Sequence, residues 1–170
     1  TFPIEVRLDS SLAEDQSGPD DLLAAIHYWE SKAGKSLFVI GDPWDHGTLP
    51  YTGSAEKPDA LLGNVIFLHR PWPFEAQIAG KTIVHSDNNR IENAVVLLNS
   101  EKILCADDCG SAPTELSRRK LIAHELGHLI GFGHATTSGS VMYPEIEPGA
   151  ELDNLTVDGD LLVRLTSGSP

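Results

Sequence analysis

Three histidines and a glutamate crowd into eleven residues, His124-Glu125-Leu126-Gly127-His128-Leu129-Ile130-Gly131-Phe132-Gly133-His134. On an α-helix, His124 and His128 are four residues apart and project from one face, about 6 Å apart along the axis. Both can reach one metal ion. Glu125 lies beside that face, placed to activate a water next to the metal and poorly placed to be a ligand itself. That position suits a general base. His134 follows His128 by six residues and cannot share the same straight helix, so the chain must break and turn back. Gly131 permits the break, because a side chain in a left-handed helix terminus costs roughly 1 kcal/mol or more. Three nitrogen ligands leave one tetrahedral position open, the mark of a catalytic zinc ion and not a structural one. The run therefore reads as a zinc site with His124, His128 and His134 as ligands and Glu125 as the base.

This HExxHxxGxxH run is similar to that of the metzincin metallopeptidases, and Ser140-Val141-Met142-Tyr143-Pro144 is similar to their Met-turn. Within the metzincins the chain most resembles the matrixins, which share a glycine before the second histidine, here Gly127, and a Met-Tyr-Pro turn. Astacin-like and serralysin-like Met-turns carry a tyrosine ligand two residues after the methionine, where this chain has Pro144. The resemblance implies three protein ligands, one catalytic Zn2+ and Met142 as a hydrophobic floor beneath it.

A chain of 170 residues is one domain's length, able to bury roughly 70% of its unfolded surface. The net charge of -13 argues against nucleic acid or an anionic membrane as partner, since phosphate binding rests on clustered Lys and Arg. No apolar run approaches the roughly 20 residues of a membrane span, and Thr1 begins neither with an initiator methionine nor with a signal peptide. The chain reads as processed or trimmed. Cys105 and Cys109 enclose only three residues and read as a disulfide that stiffens the loop locally. The rival reading, a reduced metal-binding pair, lacks a second pair of thiols. A disulfide implies a secreted protein.

The elements that must position the site follow from periodicity. Phe2 to Leu8 alternates apolar and polar residues as a first strand. Ser17 caps a helix with Pro19 early, Asp20 and Asp21 complementing its dipole, and Gly34 at its end. Leu22, Ile26, Trp29 and Ala33 form its apolar stripe, and His27 lies opposite. Ser36 to Ile40 is a short strand, and Gly41 to Pro58, containing His46, is a loop. Leu61 to His69 is almost wholly apolar, which predicts a central strand covered on both faces. Gly80 to His85 and Ala94 to Leu98 are further strands around a turn at Ser86 to Asn89. Gly110 to Thr114 leads into the buried helix that carries the histidines. Thr156 caps a last helix with Leu161, Leu162 and Leu165 inward.

The matrixin resemblance implies an α+β fold over residues 1–170: a twisted five-stranded mixed sheet with three helices. An upper subdomain of about 1–134 and a lower one of about 135–170 would flank the zinc cleft. It implies that Gly80 to His85 is the edge strand, pairing with an extended peptide substrate by β-augmentation. It places Pro144, Glu145 and Ile146 along the pocket for the residue just after the scissile bond. Lys120, one turn before His124, either reaches the far end of that pocket or snorkels to solvent. Vertebrate members carry a second zinc and calcium. Here only His69 and His85 remain as zinc candidates, and calcium at Asp87, Asn89 or Glu92 has no clear motif. The expected function is that of a secreted, monomeric zinc endopeptidase. The rivals are a zinc hydrolase of another amide, such as a cell-wall peptide, and a non-catalytic zinc-binding relative.

Overall fold

The alternating start of the chain forms β1 (Ile4–Leu8), with Val6 and Leu8 buried. The computed structural model describes residues 2–45, 63–88, 90–102, 104–105, 116–146 and 149–167. His46 with most of its loop, Asn89, Cys109 and the Gly110 to Thr114 lead-in lie outside the described residues. β1 is joined in one sheet by β2 (Phe38–Ile40), β3 (Val65–His69), β4 (Gly80–Asp87) and β5 (Arg90–Asn99). The order is β2-β1-β3-β5-β4. The first four run parallel, while β4 is antiparallel to β5 at the edge, as the resemblance implied.

β3 lies in the middle of the sheet and both its faces are covered, which is why it reads as a continuous apolar run. Ile66, with Ala94, Val96 and Leu98 of β5, joins the main core. Val65, Phe67, Val95 and Leu97 form a smaller cluster on the opposite face, against Trp44, Trp72 and Phe74.

The main core is completed by α2 (Gly18–Ala33) and α3 (Arg118–Leu129). A one-turn helix α1 (Ser10–Ala13), not anticipated from the sequence, is capped by the Asp9 side chain. Trp29, fully buried on α2, joins the two long helices. Its Nε1 donates to the Ala123 carbonyl at 2.7 Å, and its ring lies 5.6 Å from both Tyr28 and Phe132. At the start of α2 the Ser17 side chain makes no capping bond. Asp15 Oδ1 accepts from the Ser17 and Gly18 amides instead, because it lies close enough to reach both. Gly34 closes α2 with φ 66°, a left-handed residue that glycine adopts without strain.

Thr156 does not cap α4 (Gly159–Thr166), whose N-cap is Asp158. Thr156 is instead held in a β-bridge with Ser140: its amide donates to the Gly139 carbonyl and its carbonyl accepts from the Val141 amide, both at 2.9 Å. The backbone pairing outcompetes the cap. Only Leu165 of α4 is deeply buried; Leu161 and Leu162 are half-buried. Two short strands, β6 (Leu104–Cys105) and β7 (Leu116–Ser117), pair in parallel just before α3. Among the described residues no helix is long and apolar enough to cross a membrane.

Candidate active site

α3 begins where the Ser117 hydroxyl accepts from the Lys120 amide, and it carries His124, Glu125 and His128. Its last turn closes as a Schellman motif. The Gly131 amide donates to the His128 carbonyl and the Phe132 amide to the Gly127 carbonyl, both at 3.0 Å. Gly131 adopts φ 93°, so the break expected there does fall on the glycine. The motif drives Phe132 into the core against Trp29 and sends the chain back, so that His134 returns beside the two helical histidines.

The three imidazoles present ligand atoms within 4.8 Å of one another and could hold a metal ion. Among the described residues no other group of three or more metal-ligating side chains does so. His124 Nδ1 lies 2.8 Å from the Val141 carbonyl and His128 Nδ1 2.7 Å from the Phe132 carbonyl. A carbonyl accepts only, so each Nδ1 carries the proton and each Nε2 keeps its lone pair. The two Nε2 atoms face each other at 3.2 Å. Facing lone pairs repel, and a shared cation stabilises them; two nitrogens on tetrahedral zinc stand about 3.3 Å apart. The donor set fits zinc. Burial pushes the His124 pKa down to about 4 and lowers that of His128, which favours the neutral, ligating form.

Met142 is fully buried and packs against Gly127 of α3. Its packing explains Gly127: a Cβ there would come within 2.2 Å of Met142 Sδ and 2.8 Å of the Trp29 ring. The Met142 carbonyl accepts from the Ala135 amide and the Val141 carbonyl from His124, so the turn is tied both to the returning segment and to the first histidine.

Glu125 is 3% exposed and is directed at the edge strand. Thr82 Oγ1 donates to its Oε2 at 2.6 Å, and a Cβ on Gly80 would meet its Oε1 at 2.5 Å. Burial raises the Glu125 pKa to about 7, against the opposing pull of the Thr82 hydroxyl and the Lys81 charge. Neither Thr82 nor Gly80 is legible as a partner of Glu125 in the sequence, since 43 residues separate Thr82 from it.

Histidines and glutamate line an open cleft of about 1210 Å³ between β4 and the segment after the Met-turn, Pro144, Glu145 and Ile146. Lys120 is 1% exposed and does not snorkel. It lines a separate cavity of about 10 Å³ that shares Glu145 and Ile146 with the cleft. Among the described residues, His69 and His85 belong to no group of three or more metal-ligating side chains. His69 Nδ1 lies 3.0 Å from the Pro71 carbonyl, and His85 Nε2 lies 3.3 Å from Glu92. Cys105 ends β6, and its expected partner Cys109 lies outside the described residues.

The buried charges at the start of α3 were not foreseen. Arg118 Nε meets Asp21 at 2.8 Å, its NH2 group meets Asp15 at 3.0 Å and the Ser17 hydroxyl at 2.7 Å, and Arg119 lies 3.4 Å from Asp21. Asp21, read from the sequence as a complement to the helix dipole, is fully buried as the anchor of this network.

The chain is 35% identical over 69 residues to the Metalloendoproteinase 1-MMP of Arabidopsis thaliana, covering 39% of this chain. It is 30% identical over 106 residues to the Metalloendoproteinase 2-MMP of the same plant, covering 62% of this chain. It spans only 19% and 24% of the lengths of these relatives. Among solved structures it is similar to metalloproteinase-II from Bacteroides fragilis, at 17% identity and a TM-score of 0.49, over 98% of this chain and 53% of that one. A zinc-dependent peptidase from Methanocorpusculum labreanum matches at 14% identity and a TM-score of 0.43, over 96% of this chain and 100% of that one. The matrixin family model matches residues 10–161, most of the chain's length, and the chain belongs to the matrixin family.

Proposed function

We propose that this domain is a zinc-dependent endopeptidase in which His124, His128 and His134 hold one Zn2+ and Glu125 is the general base. The observation that carries this reading is the pair of Nε2 lone pairs facing each other at 3.2 Å, each fixed by a backbone carbonyl on Nδ1, beside a buried carboxylate in an open cleft. Zinc, when bound, polarises the scissile carbonyl and acidifies water. Glu125 takes a proton from the attacking water on a carboxylate oxygen and returns it to the leaving nitrogen, so one group serves as base and then as acid. In this reading the fully buried Met142 is the hydrophobic floor beneath the metal and contributes no ligand.

The substrate in this reading is an extended peptide that adds to the exposed edge of β4 by backbone pairing, bound by a monomer. Pro144, Glu145 and Ile146 wall the pocket for the residue after the scissile bond, which favours an apolar side chain such as leucine at roughly 0.8 kcal/mol per buried methylene. Residues up to about 134 and from about 135 onward act as two subdomains on either side of this cleft. Cys105 joined to Cys109, and with it secretion, completes the proposal; non-reducing peptide mapping tests the pairing, and two free thiols overturn it.

The central test measures zinc content together with cleavage of a leucine-containing peptide, with and without a chelator. One equivalent of zinc and chelator-sensitive cleavage are expected. Stoichiometric zinc with cleavage only of cell-wall peptide would reassign the substrate, and zinc with no hydrolysis would leave a binding module.

A further inference from the structure

We propose that Thr82 is the positioning residue for Glu125, an inference that rests on Glu125 being the base of the peptidase described above. The carboxylate lies at the end of three rotatable bonds, and fixing such a side chain costs about 1.5–2 kcal/mol of rotamer entropy. Something must hold it. Among the described residues its hydrogen bond comes from Thr82 Oγ1, at 2.6 Å, a length typical of a hydroxyl donating to an ionised carboxylate. The same hydroxyl lies 3.2 Å from the Glu125 carbonyl, so its single proton goes to the nearer, charged acceptor.

The strand pattern makes this contact possible. Side chains of β4 alternate between the two faces of the sheet. Ile83 packs with the outer cluster, so Gly80, Thr82 and Val84 share the face turned toward α3. Gly80 supplies the space, since any Cβ there would strike Glu125 Oε1 and Leu121. Thr82 supplies the donor. The carboxylate is thereby seated on two residues of the strand proposed to pair with substrate, its Oε2 engaged by Thr82 and its Oε1 against Gly80. Its orientation is fixed from the sheet and not from its own helix.

A residue that positions the base affects turnover more than substrate affinity, and the donor matters more than the shape. Thr82→Val keeps the shape and removes the hydroxyl; Thr82→Ser keeps the hydroxyl and removes the methyl. We expect Thr82→Val to lower kcat about 10-fold with KM and zinc content within twofold, and Thr82→Ser to stay within threefold of wild type. Wild-type kcat in Thr82→Val, equal losses in both variants, or a rise in KM alone would overturn the role. Melting of the metal-free protein gives a second readout, independent of catalysis. Thr82→Val should lower Tm by about 3–6 °C when Glu125 is present and by less than half as much in Glu125→Ala, where the hydroxyl keeps the backbone carbonyl of residue 125 at 3.2 Å as an acceptor. Equal shifts in both backgrounds would show that the pair does not interact. Should wild type cleave no peptide, or Glu125→Ala cleave at full rate, the peptidase reading or the base assignment falls, while the melting cycle still decides whether Thr82 holds Glu125.

Discussion

The two ends of α3 both bury charged or polar side chains, and they resolve the cost in opposite ways. At the N-terminal end Arg118 is enclosed by Asp21, Asp15 and the Ser17 hydroxyl, and Arg119 adds a longer contact to Asp21. Every partner of Arg118 belongs to the protein and the network is closed. Two turns later, His124 and His128 satisfy their Nδ1 protons with backbone carbonyls and leave both Nε2 atoms facing each other. There the network is open. A buried polar group lacking a partner costs about 1–3 kcal/mol, so an open arrangement inside one helix indicates a ligand, whereas a closed one indicates architecture.

Breaking the open end should show in chemistry and leave the fold intact. Glu125→Ala is expected to keep zinc while losing roughly 10²- to 10⁴-fold in kcat, measured with peptide turnover and metal analysis on the same preparation. Cleavage at the wild-type rate would remove Glu125 from the mechanism. Breaking the closed end should do the reverse. Arg118→Ala removes the 2.8 Å partner of the fully buried Asp21 carboxylate and should cost about 3 kcal/mol by denaturant unfolding, with kcat nearly unchanged in the protein that remains folded. A drop in kcat without loss of stability would mean that the two ends are not separate.

Lys120 sharpens the comparison because it stands between the ends, buried beside a cavity that shares Glu145 and Ile146 with the cleft. Lys120→Ala should join the small cavity to the pocket and shift preference after the scissile bond toward longer apolar residues, read by peptide-library profiling of both proteins. Identical profiles would assign Lys120 to the architecture alone. The smallest effect concerns acid. The Arg118 hydrogen bond, followed by that of the Ser17 amide, lowers the Asp15 pKa to about 2 from 3.8. A depressed carboxyl pKa stabilises the fold above the unfolded value, and that contribution disappears as pH falls from near 4 through about 2. Asp15 is 38% exposed, so solvent screening holds the effect to a few tenths of a kcal/mol. Asp15→Asn should flatten this part of the stability curve between pH 2 and 4, followed by urea unfolding, and an unchanged slope would show that Asp15 does not titrate against Arg118.

The sequence by itself determined what depends on nearby residues. The spacing of His124 and His128 places both on one helical face, Gly131 must adopt a left-handed conformation for His134 to return, and the apolar run ending at His69 requires a strand covered on both sides. These follow from backbone geometry and period, which act over a few residues. Thr156 shows where such local reasoning ends: a sound cap by residue type, it is taken by backbone pairing with the Met-turn segment. Only the tertiary structure decided that Asp21 would be buried against Arg118, 97 residues away, that Gly127 makes room for Met142, and that Thr82 meets Glu125 across the cleft. Those contacts depend on which faces of α2, α3 and β4 come together when the core closes, and no property of the residues alone, charge, size or spacing, specifies the partner at such separations.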